Sequence, residues 1–126
     1  MFGYLIALTV AAAASQSVNH DLPDYASAAL CPVDQTSCGY VSGSGWGYIT
    51  CPDQDSMDCV LNKWDQWDTD LRGKLGAACY LWEECDDDAA CEQGVIDAWC
   101  DQLENMLDDL AELADDCDCL LTTVST

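Results

Sequence analysis

Apolar side chains recur at helical spacing from Met57 to Cys117. Met57, Val60, Leu61, Trp64, Trp67 and Leu71 follow the i, i+3, i+4, i+7 rhythm of one helix face. Asp55 or Ser56 supplies the expected N-cap, and Asp58 adds negative charge to the first turn. Gly73 and Gly76 interrupt the pattern, and a second stripe follows through Leu75, Ala78, Cys79, Trp82 and Cys85. The run Asp86–Asp88 suits a helix start better than a helix end. A third stripe runs through Ile96, Trp99, Cys100, Leu103, Met106, Leu107, Leu110, Leu113 and Cys117. The stripes predict three helices packed on one another.

Upstream, residues 31–53 are rich in Gly, Ser and aromatics. Two β-compatible runs, "CGYV" and "WGYIT", flank "SGSG". They fit either a hairpin closed near Cys38 and Cys51 or an irregular disulfide-bound loop. Tyr40, Trp46 and Tyr48 are expected to cover the end of the helical core; an exposed aromatic platform is the alternative. Residues 15–30 lack both cysteine and periodicity and read as a prosegment or flexible linker. His20-Asp21 lies there beside Pro23, without the helical scaffold that a catalytic pair would need.

Charge changes the picture of the third helix. Asp97, Asp101, Glu104, Asp108, Glu112 and Asp115 line the side opposite its apolar stripe. Like charges meet at i, i+4 in Asp97/Asp101, Glu104/Asp108, Asp108/Glu112 and Glu112/Asp116, at a total cost of roughly 1–2 kcal/mol. Asp115, Asp116 and Asp118 also oppose the helix dipole. Each buried Leu, Ile or Met contributes about 1.5–3 kcal/mol, so burial outweighs the repulsion. The whole chain carries a formal charge of −21, with Lys63, Arg72 and Lys74 as its basic side chains. Nucleic acid and anionic membrane surfaces are therefore repelled. With 50% hydrophobic residues and five tryptophans, the chain is nonetheless expected to fold.

Ten cysteines set compartment and scaffold. Cys31, Cys38, Cys51, Cys59, Cys79, Cys85, Cys91, Cys100, Cys117 and Cys119 are an even, dense set, which predicts five bridges of unreadable connectivity. Paired C-x-x-C knuckles are absent and His20 lies far upstream, so zinc is not expected. Cys117 and Cys119 lie at the acidic end of a helix, which disfavours a reactive thiolate; they read as structural bridges to different partners. The opening "MFGYLIALTVAAAA" is uncharged and ends in Ala-x-Ala, as a secretory signal peptide does. Its fourteen residues fall short of the about 20 that span a membrane.

No catalytic motif stands out. "DQDSMD" (Asp53–Asp58) begins like a calcium loop, but Asp58 and Trp64 occupy the positions where an EF-hand needs Gly and an acidic ligand. No cofactor or metal is expected. Carboxylates are plentiful, but no pair singles itself out for acid–base work.

The stretch "DAACEQGVIDAWC" (Asp88–Cys100), in a small acidic cysteine-rich chain with three helical stripes, resembles the ciliate mating pheromones. The resemblance implies a signal peptide and prosegment ahead of a disulfide-locked three-helix protein, which is released and binds a cell-surface receptor. The motif falls late in this chain, and residues 15–30 lack the basic character of many such prosegments.

The expected organisation is thus a signal peptide (1–14), a prosegment or linker (15–30), a mainly α, disulfide-rich three-helix domain (31–119) and a C-terminal tail (120–126). The expected function is receptor binding outside the cell, with self-association left open. A secreted toxin or effector and a small carboxylate hydrolase are the alternatives. Trp64 fits the apolar stripe better, while Trp67, at its edge, is expected to be partly exposed and to anchor binding; Asp101, Glu104, Asp108 and Glu112 are expected to present charge to the partner.

Overall fold

A computed structural model describes residues 17–26 and 31–125. The expected signal peptide lies outside them. Strand β1 (Val18–Asp21) leads to a short 3-10 helix (Gln35–Cys38) and strand β2 (Gly47–Cys51). Two long helices follow, α1 (Gln54–Glu84) and α2 (Ala89–Asp116), and then strand β3 (Leu120–Thr123). The chain is therefore mainly helical, but as a helical hairpin against a small sheet rather than a three-helix bundle.

The first two stripes are one helix. Leu75 follows Leu71 by four residues and Ala78 follows by three more, so the apolar face keeps its phase across Gly73 and Gly76. Two helical glycines cost about 1 kcal/mol each relative to alanine, a penalty that the buried face overrides. A Cβ at Gly76 would meet nothing within 4 Å. Gly76→Ala should therefore raise stability by about 0.5–1 kcal/mol in urea denaturation; any loss would mean that the glycine has a role of its own.

The caps explain where the helices begin and turn. Asp53, not Asp55 or Ser56, caps α1, its carboxylate accepting from the Ser56 N–H at 2.8 Å. The acidic run then ends one helix and starts the next. Asp86 and Asp87 take left-handed φ of 52° and 66°, which Asp tolerates better than most residues. Asp88 accepts from the Ala90 and Cys91 N–H groups to cap α2. The Cys85–Cys91 bridge closes the same turn.

The sheet corrects two expectations and excludes one of the two readings of residues 31–53. Its order is β1-β2-β3, both pairings antiparallel, with Val18 opposite Cys51 and Gly47 opposite Thr123. "WGYIT" does enter a strand, but its partners are residues 18–21 and 120–123, so there is no hairpin with "CGYV". Residues 15–30 do not simply link: Val18–Asp21 forms β1, and Leu22 and Tyr25 are fully buried. The C-terminal segment is likewise no simple tail, since Leu120–Thr123 forms β3. At Gly47 the buried Leu22 side chain packs so closely that a Cβ would lie 3.1 Å from its Cδ2.

Five disulfides join these elements, with no free cysteine among the described residues. Cys31–Cys79 and Cys38–Cys100 fasten the irregular N-terminal segment to α1 and α2. Cys51–Cys119 and Cys59–Cys117 fasten the end of α2 to β2 and α1. Cys117 and Cys119 thus serve two different partners, as a structural pair should.

Inside this frame three buried tryptophans each donate to a backbone carbonyl. Trp46 reaches Pro23 O at 2.6 Å, Trp67 reaches Met106 O at 2.7 Å and Trp99 reaches Asp34 O at 2.9 Å. Trp46 therefore covers the core with Tyr40 packed against it, whereas Tyr48 is half-buried in β2 and is not packed on that core.

Tyr25 sits between Trp46 and Trp67, with both ring centroids 6.1 Å away. Its hydroxyl donates to Asp68, which also pairs with Arg72 at 3.0 Å. Burial, followed by the Asp68 bond and charge, pushes the Tyr25 hydroxyl far above its usual range. The unfolded chain therefore loses this proton first, near pH 10, while the folded chain keeps it. Stability should fall as pH rises above about 10, by about 1.4 kcal/mol per pH unit from this group. Urea denaturation between pH 9 and 11 should show a shallower decline for Tyr25→Phe. Equal slopes in the two proteins would contradict the placement.

Candidate functional site

The stripe of α2 faces inward as expected. Trp99, Leu103, Met106, Leu107, Leu110 and Cys117 are buried, and Ile96, Cys100 and Leu113 pack partly against them. Asp97, Asp101, Glu104, Asp108, Glu112 and Asp115 are all exposed. Within the acidic helices some carboxylates gain a local donor instead of a cation. Gln54, Gln66 and Gln93 donate across one turn to Asp58, Asp70 and Asp97.

The structure joins two of the expected site residues to a third group. Cys38–Cys100 ties the end of the 3-10 helix to α2. Tyr40 lies two residues beyond Cys38, and Glu104 lies one turn beyond Cys100. The bridge therefore brings the Tyr40 ring beside Glu104 and Asp108. Together with Leu107, Ala111, Leu121 and Thr123 they line an open cleft of about 340 Å³ between α2 and β3. Leu107 is buried and Leu121 half-buried, so the mostly polar lining includes a smaller apolar part. The Tyr40 ring is held from behind by Trp46, centroid to centroid 5.2 Å. Burial pushes the Tyr40 hydroxyl above its usual range, and the charges of Glu104 and Asp108 push it the same way.

Asp101 and Glu112 lie on the same exposed side, one turn before Glu104 and one turn beyond Asp108, but they do not line the cleft. Among the described residues the one ion pair is Arg72 with Asp68. The cleft carboxylates thus have no cation opposite them. The described residues also bring no three His, Cys, Asp or Glu side chains together as a metal would require.

Trp67 belongs elsewhere. It is 5% exposed, whereas Trp64, expected to be the deeper of the two, is only partly buried. The ring of Trp67 packs on Trp64 at 5.2 Å and on Tyr25, and its N–H is used by Met106 O. Its edge borders a different groove, formed with Asn62, Lys63, Gln66, Asp70 and Leu113. Leu113 is nine residues from Glu104, about 180° around α2, so this groove lies on the other side of that helix from the acidic cleft. An exposed anchor at Trp67 is corrected by these contacts. The aromatic ring at the acidic face is Tyr40 instead; the sequence signal for it was a tyrosine two residues from a cysteine, unreadable without the pairing.

His20 lies in β1. It packs edge-on against Trp64 at 4.7 Å, and its Nε2 is buried without a hydrogen-bond partner. That contact places it in the packing between β1 and α1 and away from the cleft.

No known protein family, curated protein or solved structure matches the chain. Among the described residues no helix is long and apolar enough to cross a membrane. Five bridges in so short a chain are typical of extracellular proteins.

Proposed function

We propose that this is a secreted protein that acts by binding a cell-surface protein, in the manner of a diffusible signal such as the mating pheromones it resembles. The observation that carries the reading is the acidic face of α2, exposed along its length, uncompensated by cations and built on a covalently locked frame. A rigid scaffold loses little conformational freedom on binding, and a strong charge of one sign speeds encounter with a partner of the other. Export accounts for the bridges, which reducing compartments would not maintain.

The same features support a toxin or effector directed at another organism, and the target cell separates the two. Labelled, oxidised protein should bind intact cells of its own source saturably and be displaced by unlabelled protein. Saturable binding only to foreign cells would favour the effector, and no saturable binding to either would defeat the binding reading.

A further inference from the structure

We infer that the cleft between Tyr40 and the Glu104/Asp108 turn of α2 seats an arginine side chain of a basic protein partner; this rests on the reading that the acidic face of α2 is a recognition surface. The lining has three chemically distinct parts. Glu104 and Asp108 are exposed carboxylates one helical turn apart, and neither is paired with a cation. Tyr40 presents a half-buried ring held against Trp46. Leu107, Ala111 and Leu121 add a smaller apolar part to a mostly polar lining.

An arginine side chain matches all three. Its aliphatic stem covers apolar surface, and its planar guanidinium stacks on an aromatic ring while donating to carboxylates. Lysine offers a compact point charge and stacks less well, so it fits the carboxylates but uses the ring poorly. A divalent cation is a worse match, because the described residues bring no third acidic or other strong ligand beside Glu104 and Asp108.

Charge complementarity also argues against a second copy as the occupant. Each chain carries −21 and has only Lys63, Arg72 and Lys74 to offer. Arg72 is already held by Asp68 and lies 5.0 Å from the centre of the Tyr25 ring. A partner with its own basic surface is favoured at every distance within the Debye length, about 8 Å at physiological salt.

The test is a nuclear magnetic resonance titration of the oxidised full chain with three end-blocked tripeptides, Gly-Arg-Gly, Gly-Lys-Gly and Gly-citrulline-Gly. Citrulline keeps the shape of arginine and lacks its charge. The arginine peptide should shift the Tyr40 ring and the Asp108 and Leu121 amides, the lysine peptide less and the citrulline peptide hardly at all. Tyr40→Leu should weaken the arginine response roughly two- to thirtyfold, the range of one cation–π contact. Glu104→Gln with Asp108→Asn should abolish it, and far-UV circular dichroism should show both variants folded.

Three results overturn the inference: equal shifts with citrulline, shifts at Asp97 and Asp115 as large as those at the cleft, or a dimer whose own contacts occupy Tyr40. The cell-binding experiment fails separately. Cells that bind the protein while the peptide leaves the cleft unmoved retain the receptor reading and remove this one. A cleft that takes arginine on a protein that no cell binds does the reverse.

Discussion

Replacing Trp67 with alanine should destabilise the oxidised protein by about 3–5 kcal/mol, the usual loss when a buried aromatic is truncated. Trp67 is in contact with Trp64 and Tyr25, and its N–H is the partner of Met106 O across the helix pair. The substitution leaves a cavity between α1 and α2 and removes a buried hydrogen bond. Trp64→Ala should have the smaller effect, because Trp64 is only partly buried. Guanidinium denaturation of the two variants measures both. A loss below about 1 kcal/mol for Trp67→Ala, or a larger loss for Trp64→Ala, would contradict the observed packing.

Reduction should have an effect at least as large. Four of the bridges join residues 48, 62, 68 and 58 positions apart. In the chain-entropy account, closing a loop of that size constrains the unfolded chain by about 4 kcal/mol, although overlapping loops do not add. Set against a typical domain stability of about 5–15 kcal/mol, losing all four should unfold the protein. The charge of −21 works in the same direction, since the buried core alone must then hold the acidic helices together against their repulsion. Far-UV circular dichroism in a thiol reductant should show the helical signal collapse at low salt, with part of it recovered in high salt as repulsion is screened. A reduced protein that still melts cooperatively near the temperature of the oxidised form would show that the bridges are incidental to the fold.

What could be read in the sequence follows the range of the forces involved. The inward face of α2 was legible, because helical spacing puts Trp99, Leu103, Met106 and Leu110 on one side whatever they pack against. Its acidic outer face was legible for the same reason. The break at Gly73 and Gly76 misled: a local penalty was visible, while the continuous phase from Leu71 to Ala78 that overrides it had to be weighed against the whole hairpin.

The order of Trp64 and Trp67 misled in another way. Both belong to the same stripe, and what buries the second is Tyr25 and the Met106 carbonyl, 42 and 39 residues away. Strand β1 is four residues, "VNHD", with no apolar alternation of its own; its place is set by pairing with β2. The cleft lay between these cases. Glu104 and Asp108 were visible as a solvent face, but Tyr40 joins them only through the Cys38–Cys100 bridge, and pairing cannot be deduced from spacing.

Rigid charge presentation is the claim on which the functional account turns, and association kinetics test it most directly. The rate at which oxidised protein binds cells of its own source should be measured against ionic strength, beside the Glu104→Gln, Asp108→Asn variant. Surface charges of this kind chiefly govern association. The doubly neutralised variant should bind severalfold more slowly at low salt, and the two rates should converge near 1 M, where the Debye length is about 3 Å. Equal rates at low salt would contradict the account, leaving the acidic face of α2 as a solvated surface with no part in recognition.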